Sequence, residues 1–378
     1  MKILLLTPIE LEFSEARKYL SSTQSILSCG INYEVGNYKG LHHDIDIILK
    51  QTGSKTNEIA LATERAIQKF KPEIVLLVGI AGGVKDVSIG DIVIATKLSC
   101  YESGKETENG FVYRADSIYC SPDLVSLTQN IGRSDSWKNR SIHADSCKVF
   151  WGPIASGNKV IGTSKSIIYE QIKTHLNSTL ALEMEAIGFG KSLLHYPLIK
   201  FVNIRGISDL LDNKSGTDKE GGQDIAVSNV MAFTFEVLYQ LDYSKLNIPK
   251  EIMEMKTFAN KIYKKMLPWI QQEAGQKVEL PNDSYLPILL EKVKPIVKED
   301  YDEIINNYKD DFAHSDFRNS LKKALEKNDQ LAKELKVLLD QSKQSRKENK
   351  TEIKNSKNVI SGSKIKVGGN FHLGDKKK

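Results

Sequence analysis

The chain has 378 residues, 40% of them hydrophobic and 27% charged, and its 53 basic and 48 acidic side chains give a formal net charge of +5. That apolar content excludes wholesale disorder and a coiled-coil rod, and the length suits roughly two folded units. The charge is uneven: from Gln341 onward eleven Lys and Arg stand against three acids, which is +8 and leaves −3 for the residues before it.

The chain opens with the apolar run Ile3–Leu6, which Pro8, Glu10 and Glu12 end well short of the roughly 7–15 residues of a signal-peptide core. No stretch approaches the ~18 apolar residues of a membrane span. A cytoplasmic protein that makes no membrane contact is expected. Ile3–Leu6, Ile45–Leu49, Ile74–Gly79, Ile92–Ala95 and Leu198–Ile204 read as buried strands, β-branched or Leu-rich and bounded by Gly, Pro or charge. Between them, Asn57–Phe70, Ser166–His175, Glu185–Leu194 and Ile225–Leu241 carry apolar residues at helical spacing. The alternation predicts an α/β sandwich of three layers with a central mixed, largely parallel sheet over residues 1–243, and in that class ligands gather beyond the strands' carboxyl ends.

From residue 250 to 340 only helical patterns follow, with breaks expected near Pro268, Pro281, Pro287 and Pro295. Leu321, Leu325, Leu331, Leu335 and Leu338 form one stripe that predicts a last long helix. Residues 341–357 read as a basic, solvated linker. In residues 358–378, Ile365, Val367, Phe371 and Leu373 alternate around Gly368-Gly369-Asn370, which predicts a β-hairpin tail.

Cys29, Cys100, Cys120 and Cys147 lie far apart with no CxxC pair, so reduced thiols are expected, with no disulfide, metal or cofactor. Gly53-Ser54-Lys55-Thr56 imitates the end of a phosphate-binding loop, but Ser54 and Leu49 stand where that motif needs glycine. His42, His43 and His314 have no partners at ligand spacing. Three acids stand where strands hand over to loops: Glu12, Glu185 in Leu182-Glu183-Met184-Glu185-Ala186, and Asp209 in Arg205-Gly206-Ile207-Ser208-Asp209. Singly, each is explained as a first-turn or capping acid. Together at the ends of one sheet, they point to a common cleft, beside which Gly79-Ile80-Ala81-Gly82-Gly83 lets backbone approach a ligand.

Met1–Leu20, Ile74–Thr96, Gly152–Ile161, Leu182–Ala186 and Ile204–Asp212, in that order, resemble the nucleoside phosphorylase superfamily, in particular its methylthioadenosine/S-adenosylhomocysteine nucleosidases. The resemblance implies hydrolysis of a purine nucleoside. It places Glu12 as the base for the attacking water, Arg205 as its positioner and Asp209 as the acid that protonates the leaving purine at N7. It also implies that Glu185 binds the ribose hydroxyls beside Met184, that the main chain at Ile161 holds the adenine edge, and that Val160, Ile80, Gly82 and Ser208 complete the substrate site. The chemistry asks for such a pair: Glu12 is expected to stay ionised and Asp209 to be pushed upward so that it can donate, each role contributing about 10²–10⁴-fold. A carboxylate base favours water over phosphate as the nucleophile. No cofactor is implied, and an assembly of at least two copies is.

Two departures bear on the substrate. Ile80 stands where such enzymes usually place Ser, and Val160 where an aromatic ring stacks on adenine. Lys55, Lys159 and Lys165 fall in loops near the sugar's 5′ side, which admits a 5′-phosphorylated substrate such as AMP or ATP, although solvated surface lysines explain them equally well. Residues 250–378 resemble adaptor modules of bacterial antiviral systems, implying a protein partner that regulates the enzyme. Housekeeping cleavage of methylthioadenosine and a non-catalytic nucleotide sensor remain alternatives. Nucleic acid is a poor fit for the basic tail, whose single aromatic is Phe371.

Overall fold

The computed structural model describes residues 1–340 apart from 29, 109, 115, 162, 164, 211–220, 247–249 and 281–285. The expected linker and hairpin tail, residues 341–378, lie outside the described residues. The chain divides into two compact units, Met1–Ile248 and Pro249–Lys378.

The first unit is built on a sheet whose centre is apolar because helices cover both faces. Strand β1 (Lys2–Thr7) is buried along its whole length. It lies parallel to both β4 (Asp44–Gln51) and β5 (Ile74–Gly83). On the far side of β4, β3 (Ile31–Lys39) and β2 (Ser21–Ser28) add an antiparallel wing. On the far side of β5 come β12 (Lys200–Leu210), β6 (Ile92–Cys100), β10 (Val149–Ser156) and β11 (Ala181–Glu183), with β9 (Ser117–Tyr119) paired to β6. Strand β11 then turns back onto β5, pairing Ala181 with Gly83 and Leu182 with Gly82. The five strands β5, β12, β6, β10 and β11 therefore close into a ring, with β2, β3, β4 and β1 extending from it as an open sheet. A separate ribbon joins β7 (Gly104–Thr107) to β8 (Gly110–Tyr113).

Helices α1 (Glu10–Arg17), α3 (Pro122–Gly132) and α6 (Gly222–Gln240) pack together, and α6 lies on β12 and β5. Helices α2 (Thr56–Phe70) and α5 (Ala186–Leu193) form a second group that covers β1 and β6, and α4 (Ile167–His175) packs through Tyr169 and Ile172 onto Tyr101, Ile161 and Leu182. The α/β sandwich with a mixed sheet is thus present. Helix α6 is buried around most of its circumference, Asn229, Thr234 and Glu236 included, as a helix enclosed by a sheet and other helices must be. It presses so close to β12 that a Cβ at Gly206 would lie 2.3 Å from the Ala226 carbonyl oxygen.

Two boundaries differ from the sequence reading in ways that matter for the site. Strand β12 runs on through Leu210, so Asp209 lies inside its last turn of pleat and not in the loop after it. Glu12 lies in the first turn of α1 and not in a connecting loop.

The second unit is helical: α7 (Lys250–Glu273), α8 (Leu286–Val293), α9 (Lys298–Asn306), α10 (Asp311–Lys327) and α11 (residues 329–340). Met266, Ile270, Leu289, Val293, Tyr301, Phe317, Leu321 and Leu335 form its core. The expected break at Pro268 is absent, since α7 runs through it with Met266 and Ile270 anchored in the core on either side. The Leu stripe belongs to two helices and not to one. Asn328 ends the first and starts the second, its Oδ1 accepting the Leu331 amide at 3.0 Å as an N-cap does. Among the described residues no helix is long and apolar enough to cross a membrane.

Candidate active site

At the carboxyl ends of the ring strands lies a cavity of about 210 Å³. All ten residues picked out from the sequence line it: Glu12, Ile80, Gly82, Val160, Ile161, Met184, Glu185, Arg205, Ser208 and Asp209.

Glu12 reaches the cavity from the third position of α1, and only 1% of it is exposed. Its Oε2 accepts the Ile9 amide at 2.8 Å, which caps the helix, and its Oε1 accepts the Ile80 amide at 2.7 Å, which ties α1 to β5. Burial pushes the Glu12 carboxyl up to about 7, against the opposing pull of the Arg205 guanidinium and of these two amides. Burial thus works against the expectation that Glu12 stays ionised, because desolvation outweighs its partners. Glycine at 79 is required by the same approach, since a Cβ there would sit 2.4 Å from Glu12 Oε1 and 2.7 Å from Arg205 Nη1.

Arg205 lies in β12 and is itself 1% exposed. Its Nη2 donates to Glu183 at 2.7 Å and to Glu185 at 3.1 Å, its Nε to Asn203 at 2.9 Å and its Nη1 to the Ile80 carbonyl at 3.2 Å. Burial alone would pull the guanidinium down, but Glu183, Glu185 and Glu12 more than offset it and hold Arg205 protonated. Glu185 is pushed up, first by burial and then, against the opposing Arg205, by the neighbouring Glu183. Met184 is anchored between these two acids by its carbonyl, which accepts the Thr56 hydroxyl at 3.0 Å.

Asp209 is 3% exposed. A bulge at Ser208 interrupts the ladder between β12 and β5, so that Ile207 faces Ala81 and Asp209 faces Gly82. The extra residue lets Ser208 and Asp209 both line the cavity. The Ser208 hydroxyl donates to Asp209 Oδ2 at 2.9 Å, while Oδ1 is buried with no hydrogen-bond partner among the described residues. A buried oxygen left in that state is costly unless a ligand meets it.

At the opposite wall Tyr101 donates its hydroxyl to the Lys159 carbonyl at 2.7 Å, and Val160 is 63% exposed. Of the three lysines noted in the sequence only Lys159 lines the cavity, its ammonium 3.7 Å from Glu102. Lys55 and Lys165 do not line it. Sequence reading overlooked Glu183, Tyr101 and Gln223. Of these Glu183 stood in view, inside the stretch Leu182-Glu183-Met184-Glu185-Ala186, but β11 ends at Glu183 and a turn carries Glu185, so no strand alternation linked the two acids. Among the described residues no group of His, Cys, Asp and Glu is arranged to hold a metal ion.

A mixed sheet closed into a five-strand ring, with buried carboxylates gathered at the strand ends, defines a phosphorylase-like α/β protein. Residues 2–238 match the Phosphorylase superfamily, and the chain belongs to it. The 5′-methylthioadenosine/S-adenosylhomocysteine nucleosidase of Staphylococcus saprophyticus is 28% identical over 200 residues, covering 49% of this chain and 81% of that protein. The nucleosidase of the same name from Desulfotalea psychrophila is 26% identical over 243 residues, 64% of this chain and 98% of its own length. The Neisseria meningitidis nucleosidase, solved in complex with methylthio-immucillin-A, shares the fold with a TM-score of 0.53 at 22% identity, covering 64% of this chain and 99% of that one. Futalosine hydrolase of Helicobacter pylori shares it with a TM-score of 0.54 at 20% identity, covering 64% of this chain and 98% of that one.

Proposed function

We propose that the Met1–Ile248 unit is an adenine nucleosidase that hydrolyses the N-glycosidic bond of an adenine nucleoside or nucleotide. The observation that carries this reading is the pair Glu12 and Asp209, both buried on one cavity, the first titrating near neutrality and the second with an unpartnered oxygen. The names of the relatives support it. Water oxygen bonds to C1′ as the bond from C1′ to the purine breaks. Glu12 takes the water proton, Asp209 delivers a proton to N7 of the departing base, and Arg205 positions the water. Glu185 accepts hydrogen bonds from the ribose hydroxyls beside Met184, and the main chain at Ile161 holds the adenine edge. A base poised near the working pH is the most effective kind.

The test is adenine release from a panel of nucleosides and nucleotides, with and without phosphate, followed by chromatography. Release without phosphate that Asp209→Asn abolishes supports the reading, and the absence of release under every condition refutes it. Within that activity we assign a 5′-phosphorylated substrate such as AMP or ATP, because Lys159 is among the residues that line the cavity, its exposed ammonium 3.7 Å from Glu102. Turnover of methylthioadenosine equal to or better than that of ATP overturns the assignment. The unit from Pro249 onward we assign as the adaptor through which a protein partner regulates the enzyme, as in a defence effector. Full activity of the purified whole chain on its own would contradict that regulation.

A further inference from the structure

We propose that Glu183 is a positioning residue of this site: its carboxylate clamps the Arg205 guanidinium to the start of α5 and so keeps the arginine's charge from being spent on Glu12. The proposal rests on the nucleosidase reading for its functional meaning, and on geometry for its existence. Glu183 Oε2 accepts from Arg205 Nη2 at 2.7 Å, from the Glu185 amide at 2.9 Å and from the Ala186 amide at 2.9 Å, while Oε1 meets the Ala186 amide at 3.1 Å. Its side chain is 2% exposed.

Those contacts join three elements at one carboxylate. Helix α5 has no capping side chain of its own at Glu185, and its first amides are taken instead by Glu183 and by the Ser156 hydroxyl, which meets Ile187 at 3.1 Å. The same carboxylate fixes the guanidinium from β12, whose other nitrogens are held by Asn203 and the Ile80 carbonyl. Glu185, the sugar-binding candidate, is thereby fixed through its backbone amide, which leaves its side chain to face both Arg205 and the cavity.

Among the described residues the charged groups around Glu12 are Arg205 from β12, Glu183 from β11 and Glu185 from the turn before α5, with Asp209 and Lys159 elsewhere along the cavity. One cation thus serves three carboxylates. If Arg205 answered to Glu12 alone, it would hold that carboxyl ionised but too weakly basic to accept a proton from water. By drawing the guanidinium to itself, Glu183 leaves Glu12 as the stronger base. The Glu183 charge also raises Glu12 directly, and a cap of α5 that did not hold Arg205 would have that effect alone, so the variant that keeps the charge but withdraws it from Arg205 separates the two.

The test is the titration of the Glu12 carboxyl carbon by NMR in protein carrying labelled glutamate, with the resonance assigned from Glu12→Gln. Glu183→Gln removes the clamping charge and keeps the size, and the Glu12 midpoint is expected to fall by about one pH unit or more. Glu183→Asp keeps the charge but withdraws it from Arg205, so a smaller fall is expected, and this variant decides the matter should the amide fail to fold. The acid limb of the pH profile for adenine release should move to lower pH by the same amount. An unchanged Glu12 midpoint in a folded variant overturns the proposal, whatever happens to activity. Absence of adenine release from the unaltered chain defeats the nucleosidase reading alone, because the titration still judges Glu183.

Discussion

Gly79→Ala adds a single methyl group to the middle of β5 and should disable the site without unfolding the protein. A Cβ at this position would lie 2.4 Å from Glu12 Oε1, 2.8 Å from Glu12 Cδ and 2.7 Å from Arg205 Nη1. Cβ contacts essentially never fall below 3.0 Å, so the Glu12 oxygen must retreat by about 0.6 Å (3.0 − 2.4) or the strand must move. Both groups are held by hydrogen bonds, Glu12 to the amides of Ile9 and Ile80 and Arg205 to Glu183 and Asn203, so neither can yield freely. Overpacking of this kind costs about 1–3 kcal/mol. Misplacement of a reacting group by ~1 Å costs about 10²-fold in rate. Displacements of this size should lower kcat/KM for adenine release by one to two orders of magnitude (about 10–10²-fold). The melting temperature should drop by about 2–12 °C for a unit of this size. The assay pairs continuous adenine release with calorimetry of the whole chain. A variant with kcat/KM within about threefold of the unaltered chain and an unchanged melting temperature would show that Glu12 and Arg205 are not held against Gly79, and the reasoning would fail.

Asp209→Asn should reduce adenine release by about 10²–10⁴-fold. It should leave the melting temperature nearly unchanged, because the Ser208 hydroxyl can still donate to the amide oxygen. Glu12 is raised from 4.5 to about 7. A raised carboxyl favours the folded state at acid pH, and that contribution is lost as pH climbs through about 7. Glu12→Gln should therefore gain stability relative to the unaltered chain as pH rises from about 4.5 to 7, by up to about 3 kcal/mol in its pH-dependent part, and then level off. Parallel denaturation curves from pH 4 to 9 would check this, and a difference independent of pH would refute it. At Gly188 in α5 a Cβ would stand 2.0 Å from the backbone carbonyl oxygen of Thr56. Gly188→Ala should thus cost about 3 kcal/mol or more by forcing α2 and α5 apart, measurable as a fall in denaturation midpoint. Lys159→Ala should raise KM for ATP and leave KM for methylthioadenosine within about twofold, while equal effects on both would remove Lys159 from any role with phosphate.

The central strands were legible because they are buried on both faces: Ile3–Leu6 and Ile74–Val78 are continuous apolar runs that few other structures accommodate. Strand β2 was not, since Ser21–Ser28 is a largely exposed wing strand held by pairing with β3 and not by burial. Strand β11 is three residues long, and its return onto β5 depends on the register of two glycines far away in sequence, which no local pattern announces. At the site, the acids could be picked out one by one and joined through a family resemblance. What sequence could not supply is the environment. The bulge at Ser208 arises from pairing with β5, and the push on Glu12 arises from the completeness of its burial, neither of which is a property of the residue itself. Val160 shows the converse, being identifiable as a departure from the family while its exposure at the cavity's rim became visible only in three dimensions.

The ring of β5, β12, β6, β10 and β11 has a mechanical meaning. An open sheet can splay at its edge to admit a ligand, but a hoop of paired strands cannot widen without breaking a ladder. Since Arg205, Asp209, Ile80 and Glu183 are all carried on that hoop, the spacing among them is fixed before any substrate arrives. Accommodation must then fall to the parts outside it: the segment through Lys159 and Val160, and the start of α6 at Gln223. Variation in what the cavity accepts should accordingly accumulate on those two edges, while the amides of the hoop should be among the slowest in the unit to exchange with solvent.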